Sequence, residues 1–198
     1  LEDAASITGN VIGAGDSDPD GTTLSAETNP VSGPSHGSIT IDTDGSFSYT
    51  PDANYFGTDT IVISICDAGL PLPAECVNDT LVITITSVND APNANDDSDT
   101  TNENVAVTFD ITSNDTDIDG TIDASTVDLD PATGGQQTTL TTADGTWTVD
   151  GSGNVTFTPA TGFNGDASIS YTVNDNDGAT SNEAILTVNV VMFNNAPI

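Results

Sequence analysis

The sequence predicts an all-β protein made of two tandem antiparallel β-sandwiches. Apolar and polar residues alternate over many short stretches, for example in Ile61–Ile65 and Leu186–Val190. Glycine, asparagine, aspartate and proline interrupt these stretches at short intervals, and no stretch has the period of a long amphipathic helix. Many short alternating strands joined by polar turns are typical of a sandwich.

An internal repeat accounts for the second sandwich. Pro51 and Pro159 lie 108 residues apart in matching contexts, whereas DSDPDG at 16–21 and DTDIDG at 115–120 lie 99 residues apart. The second copy therefore carries an insertion between 120 and 153. A repeat of this length indicates serial domains.

The boundary between the copies is the segment SVNDAP at 87–92, and a near copy, FNNAP, occupies 193–197. Proline lacks an amide donor and favours extended geometry in the residue before it, so each segment is a stiff exit from a strand. We expect a first domain at 1–90 and a second at 91–198, which includes the start of a further linker.

The start of the first copy differs from that of the second. In the second copy we expect strand A at 96–101, a turn at 102–104 and strand B at 105–111. Leu1-Glu2 matches Asn102-Glu103, so the first copy lacks most of its strand A. Either the chain is cut from a longer array or another subunit supplies the strand. The sequence has no initiator Met and no signal peptide, so we expect a mature piece or an excised one.

The charge of the chain limits its partners. It has no Lys or Arg against 31 acidic residues, which gives a formal charge of −31. Phosphate binding needs cations, so nucleic acid is excluded, and an anionic membrane surface is disfavoured. No apolar run is long enough for membrane insertion. Such self-repulsion is relieved by hard divalent cations; the alternative is a solvated acidic surface suited to salty water.

Cys66 and Cys76 flank a loop between two strong strand patterns. A disulfide there would close the end of a hairpin and indicates an oxidising compartment. The alternative is two free thiols. The one histidine, His36, lies in a turn-like context and gives little support to a zinc site.

Acidic residues concentrate in the turns. In DSDPDG, Asp16, Asp18 and Asp20 alternate before Gly21, and alternating carboxylates on a tight loop can converge on one hard cation. The alternative is an Asp/Gly-rich turn without a metal.

Several motifs in their order along the chain resemble a known family. DSDPDG, GSFSYTPDANYFGTD and VNDAP in the first copy, with NDTDIDG, GNVTFTPATGFNGD and YTVNDNDG in the second, are similar to the cadherin-like, bacterial Ig-like tandem repeats of large surface adhesins. The resemblance implies Ig-like sandwiches arranged end to end in calcium-stiffened extracellular stalks.

The strand count and the resemblance agree on where calcium binds. Strands alternate direction through a sandwich, so the BC loop (115–120) and the FG loop (174–178) share the end at which strand A enters, beside the exit at 89–90. Cadherins place calcium ligands at domain junctions in the same way. We expect Ca²⁺ to bridge the domains through Glu2, Asp59, Asn89, Asp90, Asp115, Asp117, Asp119 and Asp175. The further candidate ligands are Asp16, Asp18, Asp20, Asp67, Glu103 and Asp177.

Catalysis is not expected, because no nucleophile has a plausible base and the paired carboxylates lie in glycine loops. Trp147 lies in an alternating run and is interpreted as core, not as a sugar platform. The expected function is a calcium-rigidified repeat in the stalk of a secreted, surface-attached adhesin or fibre. Its partners would be neighbouring repeats or subunits and a cell-surface or matrix receptor. The alternatives are a filament subunit polymerised by strand donation and an accessory module of a secreted enzyme.

Overall fold

The computed structural model of the protein describes residues 1–69 and 73–193, and these residues form strands, turns and loops. The chain divides into two compact units, Leu1–Val88 and Asn89–Ile198. This division lies two residues before the expected domain boundary and assigns Asn89 and Asp90 to the second unit.

Fourteen strands are formed by the described residues. They are β1 (Ile7–Asn10), β2 (Ser25–Ala26), β3 (Gly37–Ile41), β4 (Ser46–Pro51), β5 (Gly57–Cys66), β6 (Cys76–Ile85), β7 (Asp97–Asn102), β8 (Val107–Asp110), β9 (Ile122–Asp128), β10 (Thr139–Thr141), β11 (Gly145–Val149), β12 (Asn154–Pro159), β13 (Gly165–Asp175) and β14 (Ala184–Val191).

The first unit is a sandwich of two three-stranded sheets, in the orders β1-β4-β3 and β2-β5-β6. Tyr49 and Ile41 from one sheet pack with Ile61, Ile63 and Ile83 from the other in a single core. The alternation seen in the sequence directs these side chains to the inner face of each sheet.

The second unit is a sandwich of two four-stranded sheets, in the orders β10-β11-β12-β8 and β7-β14-β13-β9. Its core includes Trp147, Phe157, Tyr171 and Leu186, all with 0% of their surface exposed. The rings of Trp147 and Phe157 lie 4.3 Å apart. The interpretation of Trp147 as a core residue is confirmed.

The two units repeat each other down to strand register. Gly57 pairs with Ile85 in the first unit, and Gly165 pairs with Val190 in the second. The expected insertion between 120 and 153 supplies the long β9 and the additional strand β10, which makes the sheet of β8 four-stranded instead of three-stranded.

Strand A of the second unit is β7, which begins and ends one residue later than expected. It pairs with β14 in parallel, whereas the other strand pairs are antiparallel. The chain changes sheet at the turn after β7, where the amide of Val105 donates to the carbonyl of Asn102 (3.0 Å). The strands β8 to β13 then form the connection between β7 and β14, and a connection of this length allows the two strands to run in the same direction.

The described residues of the first unit include the end of this turn but no strand equivalent to β7. The amide of Glu2 donates to the carbonyl of Thr86 (3.1 Å), as the amide of Glu103 does to that of Val191 (2.9 Å). Glu2 and Glu103 therefore make equivalent backbone hydrogen bonds in the two units. Over residues 1–69 and 73–193, no strand covers the outer edge of β6.

Cys66 and Cys76 form the expected disulfide. They are also the last residue pair of the β5–β6 ladder, so the bond closes the mouth of the FG loop. Of the residues in that loop, 70–72 lie outside the described part of the chain.

Candidate metal site

The BC loop of the second unit is built around Asp117. Its Oδ1 accepts hydrogen bonds from the amides of Asp119 (3.2 Å) and Gly120 (3.0 Å), which closes a tight Asx turn. A Cβ atom at position 120 would lie 2.8 Å from Asp117 Oδ2, so a larger residue there would displace this carboxylate. Within the described residues, Asp117 Oδ2 is shielded from solvent and accepts no hydrogen bond. Such an oxygen is costly to bury unless a proton donor or a cation satisfies it.

The FG loop of the same unit is built around Asp175, which is only 2% exposed. Its Oδ1 accepts hydrogen bonds from the amides of Asp177 (2.8 Å), Gly178 (2.5 Å) and Ala179 (2.9 Å). Burial acts to raise the pKa of Asp175, but these amides and the side chain of Asn89 outweigh it and lower the pKa. The carboxylate is therefore held in its charged form.

The linker residues at the start of the second unit contact both loops. Asn89 donates its side-chain amide to Asp175 Oδ2 (2.7 Å), and the backbone amide of Asp90 donates to Asp119 Oδ1 (3.3 Å). The structure thus brings together five of the predicted junction ligands within the second unit. They are Asn89, Asp90, Asp117, Asp119 and Asp175.

Asp115 contacts a different group of residues. Its Oδ1 accepts a hydrogen bond from the amide of Asn95 (2.8 Å), and both its oxygens lie 3.0–3.1 Å from the hydroxyl of Tyr171. Burial raises the pKa of Asp115. Its hydrogen bonds connect the start of the BC loop to the core of the unit, and not to Asp117, Asp119 or Asp175.

Asp97, which was not among the predicted ligands, also lies beside the Tyr171 hydroxyl. Its Oδ2 lies 3.3 Å from the Tyr171 hydroxyl. Burial, followed by the charge of Asp115, raises the pKa of Asp97 to about 6. The signal in the sequence was an aspartate in strand A at a position that alternation directs toward the core.

Glu2 is a buried acid of the first unit, with 2% of its surface exposed. Its Oε1 accepts a hydrogen bond from the amide of Val88 (2.6 Å), which ties the exit of the unit to its beginning. Its Oε2 is shielded and accepts no hydrogen bond from the described part of the chain. Glu2 thus resembles Asp117 in having one satisfied oxygen and one that is not.

Asp59, another predicted ligand, is satisfied by the protein itself. It accepts hydrogen bonds from the amides of Ser35, His36 and Thr60 and from the hydroxyl of Tyr49 (2.9–3.0 Å). Burial acts to raise the pKa of Asp59, but these four donors outweigh it and lower the pKa. With four donors the carboxylate has little capacity left for a cation, and its contacts stabilise the fold of the first unit.

The BC and FG loops of the first unit line a cavity of about 550 Å³, to which Asp16, Asp18 and Asp67 contribute. An adjoining cavity of about 210 Å³ is lined in part by Asp18, Asp20 and Asp67. Asp18 accepts hydrogen bonds from the hydroxyl and amide of Thr22, and these bonds lower its pKa.

The remaining acids of the first unit's loops close local turns. Asp16 accepts a hydrogen bond from the amide of Gly13, and Asp67 accepts from those of Gly69 and Glu75. Taken by itself, neither unit has three described acidic, His or Cys side chains whose ligand atoms all lie within 4.8 Å of one another. The loops bring carboxylates near one another without closing a cage.

The last two predicted ligands lie on the surface of the second unit. Glu103 follows β7 and accepts a hydrogen bond from the side chain of Asn104 (3.4 Å). Asp177 is exposed at the tip of the FG loop, and its Oδ2 accepts a hydrogen bond from the side chain of Asn176 (3.0 Å).

Each of the two sandwiches matches the same protein family. The model of the bacterial Ig domain matches the chain twice, over residues 1–86 and 89–189. The chain belongs to the bacterial Ig domain family. This tandem of bacterial Ig domains is an extracellular repeat module, and domains of this kind are typically structural and not enzymatic. A search of curated proteins returned no match.

Solved structures similar to the tandem include cadherin ectodomains. Drosophila N-cadherin EC1-4 gives a TM-score of 0.54 at 15% identity, over 88% of this chain and 43% of that one. Mouse cadherin-23 EC22-24 gives 0.52 at 18% identity, over 86% and 53%. Human protocadherin-24 EC1-2 gives 0.54 at 16% identity, over 88% and 85%. The tandem spans about half or less of the first two chains, and the similarity establishes a cadherin-like fold.

Residues 1–69 and 73–193 contain no helix of the length and apolar character needed to cross a membrane.

Proposed function

We propose that this tandem of bacterial Ig domains is a calcium-binding structural module in the stalk of a bacterial surface adhesin or fibre. Calcium restricts the motion of the linker between the two domains, so that the repeat transmits force and extends a distal binding site from the cell. The observation that carries the proposal is the attachment of Asn89 and Asp90 to the acidic loops of the second domain.

The electrostatics favour a cation at these loops. Two like charges about 4 Å apart repel by about 4 kcal/mol at an effective dielectric constant of 20. The chain carries a formal charge of −31 and has no Lys or Arg to compensate its carboxylates. Metal ions, solvent counter-ions or protons must therefore supply the compensation. Ca²⁺ suits clustered carboxylate, amide and backbone oxygens in flexible loops, because it accepts six to eight oxygen ligands.

The chemistry of the donor set supports calcium in particular. Asp117 offers a shielded oxygen without a hydrogen bond from the described residues, and Asp175 is held in its charged form by three backbone amides. Asp119 and the side-chain oxygen of Asn89 add further hard donors. These oxygens suit a hard divalent cation better than zinc, which prefers nitrogen and sulfur.

The effect on the linker follows from its attachment points. The amide of Val88 is bound by Glu2 of the first domain, and the next two residues, Asn89 and Asp90, are bound by loops of the second. Without an ion, repulsion among the loop carboxylates opposes the second set of contacts. With calcium bound to Asp117, Asp119 and Asp175, those contacts become favourable and the linker loses its freedom.

The same proposal assigns no catalytic role to the tandem. It places the tandem outside the cell and attached to its surface through the remainder of a fibre. Its partners are neighbouring repeats of the same fibre and a receptor at its distal end.

Isothermal titration calorimetry on the calcium-free protein at moderate salt tests the proposal. We expect Ca²⁺ to bind with measurable heat and Mg²⁺ at equal ionic strength to bind much more weakly. NMR relaxation should show that calcium slows independent tumbling of the two domains. If millimolar calcium neither binds nor changes the tumbling, the negative charge is compensated by solvent ions and the proposal fails.

A further inference from the structure

The strands β7 and β14 are the first and last strands of the second domain in the described part of the chain, and they lie side by side in parallel. Six residue pairs join them, from Asp97–Leu186 to Asn102–Val191. The chain enters the domain at the beginning of β7 and leaves it at the end of β14. Because the strands are parallel, these two points lie at opposite ends of the ladder. Tension along the chain therefore pulls the two strands past each other instead of peeling one from the other.

We propose that the β7–β14 ladder is a mechanical clamp, that is, the contact that must break before the second domain can unfold under tension along the chain. The inference rests on the proposed stalk function only for the direction of the force, since a stalk repeat is pulled through its two ends. The clamp itself is made of protein groups, so it acts with or without bound calcium.

The hydrogen bond of Glu103 shows which groups of β7 form the ladder. The amide of Glu103 donates to the carbonyl of Val191 (2.9 Å), so residue 103 directs its backbone groups toward β14. Successive residues of a strand direct these groups to alternate sides, so Asp97, Asp99 and Thr101 also face β14. Thr100 faces away, and its amide donates to the carboxylate of Asp99 in its own strand (2.7 Å).

The two strands differ in how firmly the rest of the domain holds them. On its other side, β14 pairs with β13 over seven residue pairs, and its Leu186, Val188 and Val190 are at most 2% exposed in the core. By contrast, β7 is an edge strand whose residues are exposed or half-buried except Thr101. Of the contacts between the two ends of the chain, the β7–β14 ladder is therefore the one that tension loads most directly.

The segment that enters β7 is also attached to the start of β14. The side chain of Asn182 exchanges two hydrogen bonds with the backbone of Ala94 (3.0 and 2.9 Å). The amide of Ile185 donates to Asp96 Oδ1 (2.7 Å). Ala94 is itself buried in the core, with 4% of its surface exposed. These contacts keep the entering chain aligned with β14, so that the force acts along the ladder.

The direction of the force decides how the hydrogen bonds share it. The bonds of a parallel ladder are evenly spaced, so tension at opposite ends strains all of them at the same time. Tension at one end acts on the last bond alone, and the bonds then break one after another. The same ladder therefore resists a large force in the first geometry and a small force in the second.

Single-molecule force spectroscopy on the 198-residue protein tests the proposal, in chelator so that calcium does not contribute. Handles are attached through cysteines introduced at exposed positions, while Cys66 and Cys76 stay in their disulfide. Handles at Ala91→Cys and Met192→Cys load the ladder from opposite ends. In the second variant Val105→Cys replaces Ala91→Cys, so both handles lie at the same end of the ladder. Only residues of the second domain lie between the handles in either variant.

We expect the second domain to unfold at a clearly higher force with handles at 91 and 192 than with handles at 105 and 192. Equal forces would show that the ladder is not the contact that breaks, and the inference would be wrong. Because the comparison is made without calcium, it can succeed where the calcium proposal fails, and the reverse.

Proline substitutions test the ladder itself, with handles at 91 and 192. Asp99→Pro removes an amide that faces β14 and should lower the unfolding force. Ser98→Pro is the matched control, because it removes an amide that faces away from β14, where an edge strand tolerates proline. Asp99→Asn removes the charge and keeps the amide, so it should unfold at the force of the unsubstituted strand.

Trp147 fluorescence shows whether each proline variant is folded before it is pulled. If Asp99→Pro does not fold, the comparison of the two handle positions decides alone, because its substitutions lie outside both strands. If Asp99→Pro and Ser98→Pro are folded and lower the unfolding force equally, the hydrogen bonds to β14 do not resist the tension and the clamp is refuted.

Discussion

The hydroxyl of Tyr171 lies 3.3 Å from Oδ2 of Asp97 in the core of the second domain. The same hydroxyl lies 3.0–3.1 Å from the carbonyls of Asn95 and Ile111 and from the carboxylate of Asp115. All of these neighbours are acceptors, and a hydroxyl has one proton to donate. A proton on Asp97 would supply a second hydrogen bond, and burial and the charge of Asp115 raise the pKa of Asp97 to about 6.

This arrangement predicts an unusual dependence of stability on pH. The pKa of Asp97 is above its unfolded value of about 3.9, so the folded state binds its proton more tightly. The stabilisation is complete below about pH 4 and is lost as the pH rises through about 6. Asp59 and Asp175, whose pKa values are lowered, act in the opposite sense and lose their contribution as the pH falls below about 4.

We therefore compare the free energy of unfolding of Asp97→Asn with that of wild type at two pH values. Between pH 4 and pH 7 the difference should shift in favour of Asp97→Asn by about 1–2 kcal/mol, a range that allows for partial exposure of Asp97. Urea unfolding followed by Trp147 fluorescence in chelator measures this. Asp99→Asn on the same strand is the control, because the carboxylate of Asp99 accepts a hydrogen bond from the amide of Thr100 and not from Tyr171. If the difference in the free energy of unfolding between Asp97→Asn and wild type stays constant between pH 4 and pH 7, the pKa of Asp97 is not raised in the folded state.

The disulfide should stabilise the first domain alone. Replacing Cys66 and Cys76 together by alanine opens a loop of about ten residues, which costs roughly 2–3 kcal/mol in the chain-entropy model. Calorimetry should show a lower melting temperature for the first domain. The urea midpoint reported by Trp147, in the second domain, should not move. A shift of both transitions by equal amounts would indicate that the domains unfold as one unit.

The core position of Trp147 predicts a graded loss of stability. The side chain is fully buried against Phe157, so Trp147→Ala should destabilise the second domain by about 3–5 kcal/mol. Its Nε1 has no hydrogen-bond partner among the described residues. Trp147→Phe therefore loses no hydrogen bond and should cost clearly less. Calorimetric melting of both variants checks the order, and equal losses would indicate an undetected partner of Nε1.

Most of the fold was predictable from local pattern. The alternation in Ile61–Ile65 is a property of neighbouring residues, and it defines a strand. The repeat seen at Pro51 and Pro159 can be read by comparing short local motifs, and it defines the two domains. The disulfide followed from two cysteines at the ends of facing strands. The parallel pairing of β7 with β14 was not predictable in this way, because a strand's direction relative to a distant partner depends on how the chain crosses between sheets.

The candidate site was predictable in its loops but not in the roles of single carboxylates. Sequence spacing placed Asp117, Asp175 and Asn89 at one end of a sandwich, and the structure brings them together within the second domain. Spacing does not show which donors surround a carboxylate. Asp59 accepts four hydrogen bonds, and Asp115 lies against the amide of Asn95 and the hydroxyl of Tyr171. From the sequence alone, neither carboxylate can be told apart from one that is available to a metal ion.

The proposed calcium site gives the last prediction. Asp117→Asn combined with Asp119→Asn removes two charges but keeps a side-chain oxygen that accepts the turn hydrogen bonds of the BC loop, so the second domain should stay folded. A ligand that binds only the native state stabilises it by about 2.7 kcal/mol at a hundredfold excess over its dissociation constant. Wild type should gain stability of this order in calcium and lose it in chelator.

The double variant should lose most of this calcium response, measured as the shift in melting temperature between saturating calcium and chelator. The matched control is Asp123→Asn with Asp150→Asn. It makes the same change in charge, and both residues lie in the same domain and accept a hydrogen bond from the amide two residues ahead. The control should respond to calcium as wild type does. If the two double variants lose the calcium response equally, calcium acts on the overall charge and not at the loops that hold Asn89 and Asp90. In that case the proposal that bound calcium stiffens the linker must be abandoned.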